Sequence, residues 1–264
     1  MSTPTVPQAV SRKRSARMLA ALQLLGDQGS LSLAELTESL GVSAATVRRD
    51  LAEMEDQGLL VRTHGGARAP ARAEVPVQLR DSQFREAKQR IARRAVALLP
   101  DGPYSVALSG GTTATEVAKA LATRQELAIV TNALTTVMEI ASRPNLKVIL
   151  TGGVVRPSSF EAVGALAENT FNAINVGTAI LGTDGISAQG GATTHDEVEA
   201  RTNHAMVAHA QRVMVVADGS KVGRITLARM AALDEIDVLV TDATADRAEL
   251  DRIEAGGVEV HVVD

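Results

Sequence analysis

Seven short runs of apolar residues are spaced along the C-terminal two thirds of the chain, with helical patterns between them: SVALS (105–109), LAIVTN (127–132), KVILTGG (147–153), TAILG (178–182), VMVVAD (213–218), DVLVTD (237–242) and VEVHVV (258–263). Most are nearly continuous in Val, Ile, Leu and Ala. A strand with one wet face would alternate apolar and polar residues. A continuous run requires both faces to be covered. Strands that alternate with helices and are covered on both faces imply a largely parallel α/β sheet. In such sheets ligands bind beyond the carboxyl ends of the strands.

Those ends read LSGGTT, VTN, LTGG, LGTDG and ADGSKVG. Gly, Thr, Asn, Asp and Lys therefore gather at one edge, which suits a small polar ligand. In LSGGTT, the residues Ser109, Gly110, Gly111, Thr112 and Thr113 lie between a strand and the helical pattern ATEVAKALAT. Backbone N–H groups and hydroxyls at a helix N-terminus suit a phosphate. Asn132, Gly152, Gly153, Asp184 and Lys221 complete the candidate ligand set. Lys221 would add positive charge and Asp184 would accept from sugar hydroxyls. Each has a plainer alternative: Lys221 and Asp184 as turn residues, Gly152-Gly153 as relief of backbone crowding. The loop lacks the G-K-[ST] ending of a Walker A motif and the G-x-G-x-x-G of a dinucleotide site. Five histidines show no zinc spacing, and no cysteine is present, so no metal, cofactor or thiol chemistry is expected.

Residues 14–70 have a different grammar. Met18, Leu22 and Leu25 recur at helical spacing, and Gly29 ends the pattern. Ser32-Leu33-Ala34-Glu35 is a capping-box signature. Leu33, Leu36 and Leu40 then mark a short second helix, stopped by Gly41. Ser43 can cap a third, with Val47, Leu51 and Met54 inward. Two short helices joined by a tight glycine turn make a helix-turn-helix. With that inner face fixed, Ala45, Arg49 and Glu53 point outward, flanked by Thr46 and Arg48. A small, hydroxylic and basic surface permits close approach to DNA, and arginines can pair with phosphate or guanine. LLVRTHGGARA (59–69) reads as a hairpin wing carrying Arg62, His64 and Arg68. A three-helix protein-interaction module with a solvated charged face is the alternative.

Charge is uneven: residues 1–80 hold 10 Lys+Arg against 8 Asp+Glu, while 81–264 hold 17 against 23. A mildly basic head on an acidic body hints at two jobs. Aromatic residues are only 2%, which weighs against single-strand nucleic-acid binding by stacking. No apolar run approaches the ~20 residues of a membrane span, and the short apolar stretch after RKR lacks a cleavage site. A cytoplasmic location is expected. RAPARAEVPVQLRDS (68–82) has two prolines and no periodicity, so 71–82 reads as an extended linker before a domain at 83–264. The helix at 83–99 is expected to place Ile91, Ala95 and Leu98 inward, with Lys88, Arg90, Arg93 and Arg94 as a solvated face.

The segment VSAATVRRDLAEMEDQGLLVRTHGG (42–66) resembles the winged helix-turn-helix of the DeoR family of bacterial transcription regulators. The resemblance implies that Ser43, Thr46, Arg48 and Arg49 lie at double-stranded operator DNA and that Arg62 and His64 sit in the wing. Asp50 matches the family's R-R-D, with the expected role of orienting an arginine or the helix. LSGGTT, IVTN, LTGGVVR, LGTDGI, GGATT and ADGSKVG are similar to the family's effector domain, whose fold resembles ribose-5-phosphate isomerase. That implies a phosphorylated sugar or polyol as effector. The family usually carries Asp where Ser109 stands, a Lys-Arg pair where Asn203-His204 stand, and His and Phe where Gly219 and Val222 stand. The expectation is thus an α/β chain: an N-terminal winged helix-turn-helix followed by a largely parallel α/β effector domain. It would be a repressor of sugar-metabolism genes, and a homodimer or homotetramer, since one helix-turn-helix reads only a half-site. The competing reading is a sugar-phosphate isomerase with an added head. Glu197, Glu199, Asp184 and Lys221 would be its candidate acid–base groups.

Overall fold

A computed structural model describes residues 12–68, 77–80 and 84–264. The chain forms two compact units, 1–83 and 84–264.

In the first unit, α1 (Arg12–Gln28) leads into a short strand β1 (Ser30–Ser32), then α2 (Leu33–Leu40) and α3 (Ala44–Asp56). The capping box forms: Glu35 N donates to Ser32 Oγ at 3.2 Å, and Ser32 N donates to Glu35 Oε2 at 2.7 Å. Gly41 ends α2 in the left-handed conformation (φ 62°), which a side chain would strain. Strands β2 (Val61–Thr63) and β3 (Gly66–Arg68) make the hairpin, and β1 adds to its far edge in the order β1-β3-β2. Met18, Leu25, Leu36, Val47, Leu51 and Met54 form one core, as helical spacing requires.

Within the segment read as an extended linker, α4 (Val77–Arg80) is a single helical turn, and Leu79 joins the same core. The turn packs against α1. Residues 69–76 and 81–83, including most of the expected linker, lie outside the described residues.

The second unit begins with α5 (Arg85–Ala97), β4 (Tyr104–Leu108), α6 (Thr112–Leu121), β5 (Leu127–Thr131), α7 (Leu134–Ile140) and β6 (Leu146–Leu150). A small antiparallel pair follows, β7 (Val154–Val155) with β8 (Ala162–Val163), then α8 (Ala165–Asn172) and β9 (Val176–Gly182). Next come β10 (Gly185–Ser187), β11 (Gly191–Thr194), α9 (Glu197–Ala208), β12 (Ala210–Val216), β13 (Ala228–Ala231), β14 (Val238–Asp242), α10 (Arg247–Ala255) and β15 (Glu259–Val263).

Seven strands make one sheet in the order β15-β14-β12-β9-β4-β5-β6, and every pair is parallel. Its two faces explain the continuous apolar runs. Val106, Leu108, Ile129, Ile180, Met214, Val216, Val238 and Val240 pack with Ile91, Val117 and Leu121 from α5 and α6. The intervening Ala107, Val130, Ala179, Leu181, Val215 and Leu239 pack on the other side with Phe171, Met206 and Ile253 from α8, α9 and α10. Neighbouring residues thus serve opposite cores.

One expectation on α5 fails. Lys88 is only 3% exposed, so it is no part of a solvated face. It lies at i, i+3, i+4 and i+7 spacing with Ile91, Ala92 and Ala95, which places it on the buried stripe. Leu99 completes that stripe, while Leu98 caps the helix half-buried.

Candidate nucleic-acid interface and ligand site

The outward face of α3 forms as its period demands. Ser43 Oγ caps the helix, accepting from Thr46 N at 3.3 Å, and lies 3.0 Å from Thr46 Oγ1. Ser43, Ala45, Arg48 and Arg49 are exposed and Thr46 is half-exposed. Val47, Leu51 and Met54 anchor the opposite face. The two arginines are therefore presented outward from a helix whose register cannot rotate without unburying its core.

Asp50 has a different task. It is 4% exposed, and both its oxygens face α1: Arg14 Nε at 3.1 Å and Arg17 Nε at 2.5 Å. Arg14 also pairs with Glu53. The carboxylate thus orients arginines, as expected, but those of α1, and so locks the first helix across the third. In the wing, Arg62 and His64 are exposed; Arg62 N donates to Glu55 Oε1 at 3.1 Å and its guanidinium lies 3.6 Å from Glu55.

In the second unit the five polar segments follow β4, β5, β6, β9 and β12. These are adjacent parallel strands, so their carboxyl ends share one edge. Hydrogen bonds tie the segments together. Gly182 N donates to Ser109 Oγ at 2.9 Å, joining the loops after β9 and β4. Ser109 is buried, so its hydroxyl serves the loop from within. Gly111 begins α6 at φ 99° with no side-chain cap, and the first N–H groups of a helix have no intrahelical acceptor. Thr112 is half-buried and Thr113 buried. Gly153 has a crowding reason to be glycine: a Cβ there would stand 2.8 Å from Val163 O, across the β7–β8 pair. Gly152 is exposed, with open space but for Leu166. Lys221 Nζ lies 3.6 Å from Asp184 Oδ1, and Thr194 Oγ1 lies 3.2 Å from Asp184 Oδ2.

Glu161, Arg156, Thr194 and Asp196 at this edge were not singled out from sequence; Gly110 and Glu199, which were, meet them here. Gly110 N donates to Glu161 Oε1 at 2.6 Å. Glu161 lies close to Glu199 as well. Glu199 in turn accepts from Thr194 Oγ1 at 2.6 Å and from Arg156 at 2.5 Å. Arg156 Nε reaches Asp196 at 3.3 Å. Burial pushes the Glu161 carboxyl above its usual range. Burial, and then the Glu161 charge, push Glu199 further up. Two carboxyls in contact cannot both ionise freely, so the pair titrates as a unit. Glu197, one of the acid–base candidates, is exposed. Among the described residues, no group of three or more His, Asp or Glu side chains is arranged to hold a metal ion.

Two family models match this chain: the DeoR-like helix-turn-helix domain over residues 17–73 and the DeoR C terminal sensor domain over residues 83–243. The chain belongs to the DeoR family. It is similar to the HTH-type transcriptional regulator GlpR of Haloferax volcanii, with 38% identity over 90% of this chain and 94% of that protein. It is also similar to the glycerol-3-phosphate regulon repressor of Escherichia coli K12, with 34% identity over 88% of this chain and 92% of that one. A ribose 5-phosphate isomerase A structure from Methanocaldococcus jannaschii shows a TM-score of 0.37 and 16% identity over 53% of this chain and 55% of that one. This DeoR-family chain is a DNA-binding transcription regulator and not an isomerase. No helix among its described residues is long and apolar enough to cross a membrane.

Proposed function

We propose that this DeoR-family protein is a cytoplasmic repressor of sugar-metabolism genes that works as a homodimer or homotetramer. Ser43, Thr46, Arg48 and Arg49 contact double-stranded operator DNA in the major groove, and Arg62 and His64 contact it from the wing. Operator binding is set by a phosphorylated sugar or polyol held at Ser109–Thr113, Asn132, Gly152-Gly153, Asp184 and Lys221. The observation that carries the first half is the exposed Arg48-Arg49 pair on a helix fixed by its own core. The second half rests on the uncapped start of α6 among five polar strand ends. Glycerol 3-phosphate is the first effector to try, because the name of the Escherichia coli relative carries it.

A gel-shift titration on the protein's own upstream region, with and without sugar phosphates, tests both halves. Arg48→Ala and Arg49→Ala should each cost about 1–3 kcal/mol of operator affinity. Arg62→Ala should weaken binding uniformly and flatten the salt slope. Lys221→Glu should bind DNA and ignore the effector. Full operator affinity in the double arginine variant would overturn the DNA assignment. A normal effector response in Lys221→Glu would overturn the ligand site.

A further inference from the structure

The loop proposed to take the effector's phosphate is already engaged by a carboxyl group of the protein itself. Glu161 Oε1 lies 2.6 Å from Gly110 N, in the loop that leads into the uncapped start of α6. A Cβ built on Gly110 would fall 2.6 Å from both Cγ and Cδ of Glu161, so the side chain fills the space over this glycine. Glu161 is 2% exposed and interacts with Glu199, which Arg156 and Thr194 secure.

We propose that the Glu161 side chain is an internal stand-in for the effector's anion, one that must leave the Gly110 N–H before a phosphate monoester can bind and so decides which anions do. The inference rests on the phosphate reading of this loop.

Charge carries the argument. Glu161 and Glu199, which cannot both ionise freely, stand at this edge with Asp184 and Asp196, and Arg156 and Lys221 are already paired to these carboxyl groups. A phosphate arriving beside a seated Glu161 would meet repulsion in a medium where screening is weak. With Glu161 withdrawn, the loop N–H groups and the α6 N-terminus face the ligand instead. A ligand must therefore bring more than charge to displace it. Hydroxyl groups supply that. Asn132 is fully buried, and no hydrogen-bond partner among the described residues reaches its Oδ1. Its main-chain O accepts from Ala162 N, the residue after Glu161, at 2.7 Å, so Asn132 and Glu161 are neighbours. A ligand hydroxyl that donates to Asn132 Oδ1 would satisfy this buried acceptor. A polyol phosphate combines both groups, and inorganic phosphate or sulfate has only the charge.

Calorimetry on the full-length protein at one pH, with inorganic phosphate and with glycerol 3-phosphate as probes, tests this. Glu161→Ala should bind inorganic phosphate at least tenfold more tightly than wild type and lose much of the preference for the polyol ester. Glu161→Gln keeps an acceptor for Gly110 without the charge, so it should show a smaller gain in the same direction. It also decides the matter if the alanine variant fails to fold. Wild-type binding of glycerol 3-phosphate that Lys221→Glu abolishes, together with unchanged or weaker phosphate binding in both Glu161 variants, would overturn the stand-in alone. Absence of binding by wild type and variants to either probe would overturn it together with the phosphate reading.

Discussion

Asp50→Asn perturbs the carboxylate that ties α3 to α1. In the wild type, two arginines donate through Nε to two different oxygens of one buried carboxylate, at 3.1 and 2.5 Å. Asparagine is nearly isosteric and keeps one oxygen as acceptor. One charge-assisted hydrogen bond is lost, and the other becomes charged-to-neutral. Removing one partner of a fully buried pair would cost about 3–5 kcal/mol. Here the arginine side chains are 28% and 20% exposed, so both can turn to water, and Arg14 keeps Glu53. The expected loss is therefore about 2 kcal/mol, close to a hydrogen bond to a charged group. It should appear only in the first unit. Native-state hydrogen exchange suits this because it reads each unit separately. Amides of residues 47–56 that exchange by opening of the unit should lose roughly 30-fold in protection, while those of the seven-stranded sheet stay unchanged. Protection within about threefold of wild type would show that the Asp50 cluster is surface decoration.

Two other perturbations probe the wing and the carboxyl pair. Gly66→Ala would bring a Cβ to 2.1 Å from Leu31 O and 2.8 Å from Ser32 Cα, so β1 and β3 cannot keep their register; Gly65→Ala meets nothing and bears only its φ of 97°. In NMR spectra, Gly66→Ala should shift or broaden the wing resonances and cost more than about 2 kcal/mol, and equal effects of the two variants would deny the close approach. Glu199 has its pKa raised well above 4.5 in the folded protein, so between those values the native state binds more protons than the unfolded one. Its contribution to stability is complete below about 4.5 and is lost as pH rises through the raised value. Denaturant unfolding of Glu199→Gln should accordingly fall less steeply with rising pH than wild type, and an identical pH slope would refute the assignment.

The first unit was legible because its instructions are local. The capping box of Ser32 and Glu35, the glycine stop at 41 and the period of Val47, Leu51 and Met54 each act within four or five residues. Where a neighbour supplies the reason, the sequence is silent. Ser30–Ser32 is a strand only because Gly66–Arg68 lies beside it. Val77–Arg80, read as linker after two prolines, is a helical turn because Val77 and Leu79 find buried positions. The parallel sheet was legible because each strand records its two covered faces in its own composition. The pairs β7–β8 and β10–β11 were not, since strands of two to four residues are too short to carry a period.

The same division runs through the ligand edge. Its glycines, hydroxyls, Asp184 and Lys221 follow apolar runs and so advertise themselves. Glu161 reaches Gly110 across 51 positions of chain, and Arg156 reaches Glu199 across 43. Neither Glu161 nor Arg156 is distinguished locally from any solvated charge: both fall in RPSSFEAVG, between two-residue strands. Burial marks Glu161, and pairing with Glu199 and Asp196 marks Arg156. A carboxylate taken out of water needs donors, and Glu161 finds one in the N–H of the glycine that the sequence had already offered to a phosphate. On the proposed reading, the side chain that competes with a ligand is to be sought among distant acids brought to the same strand ends.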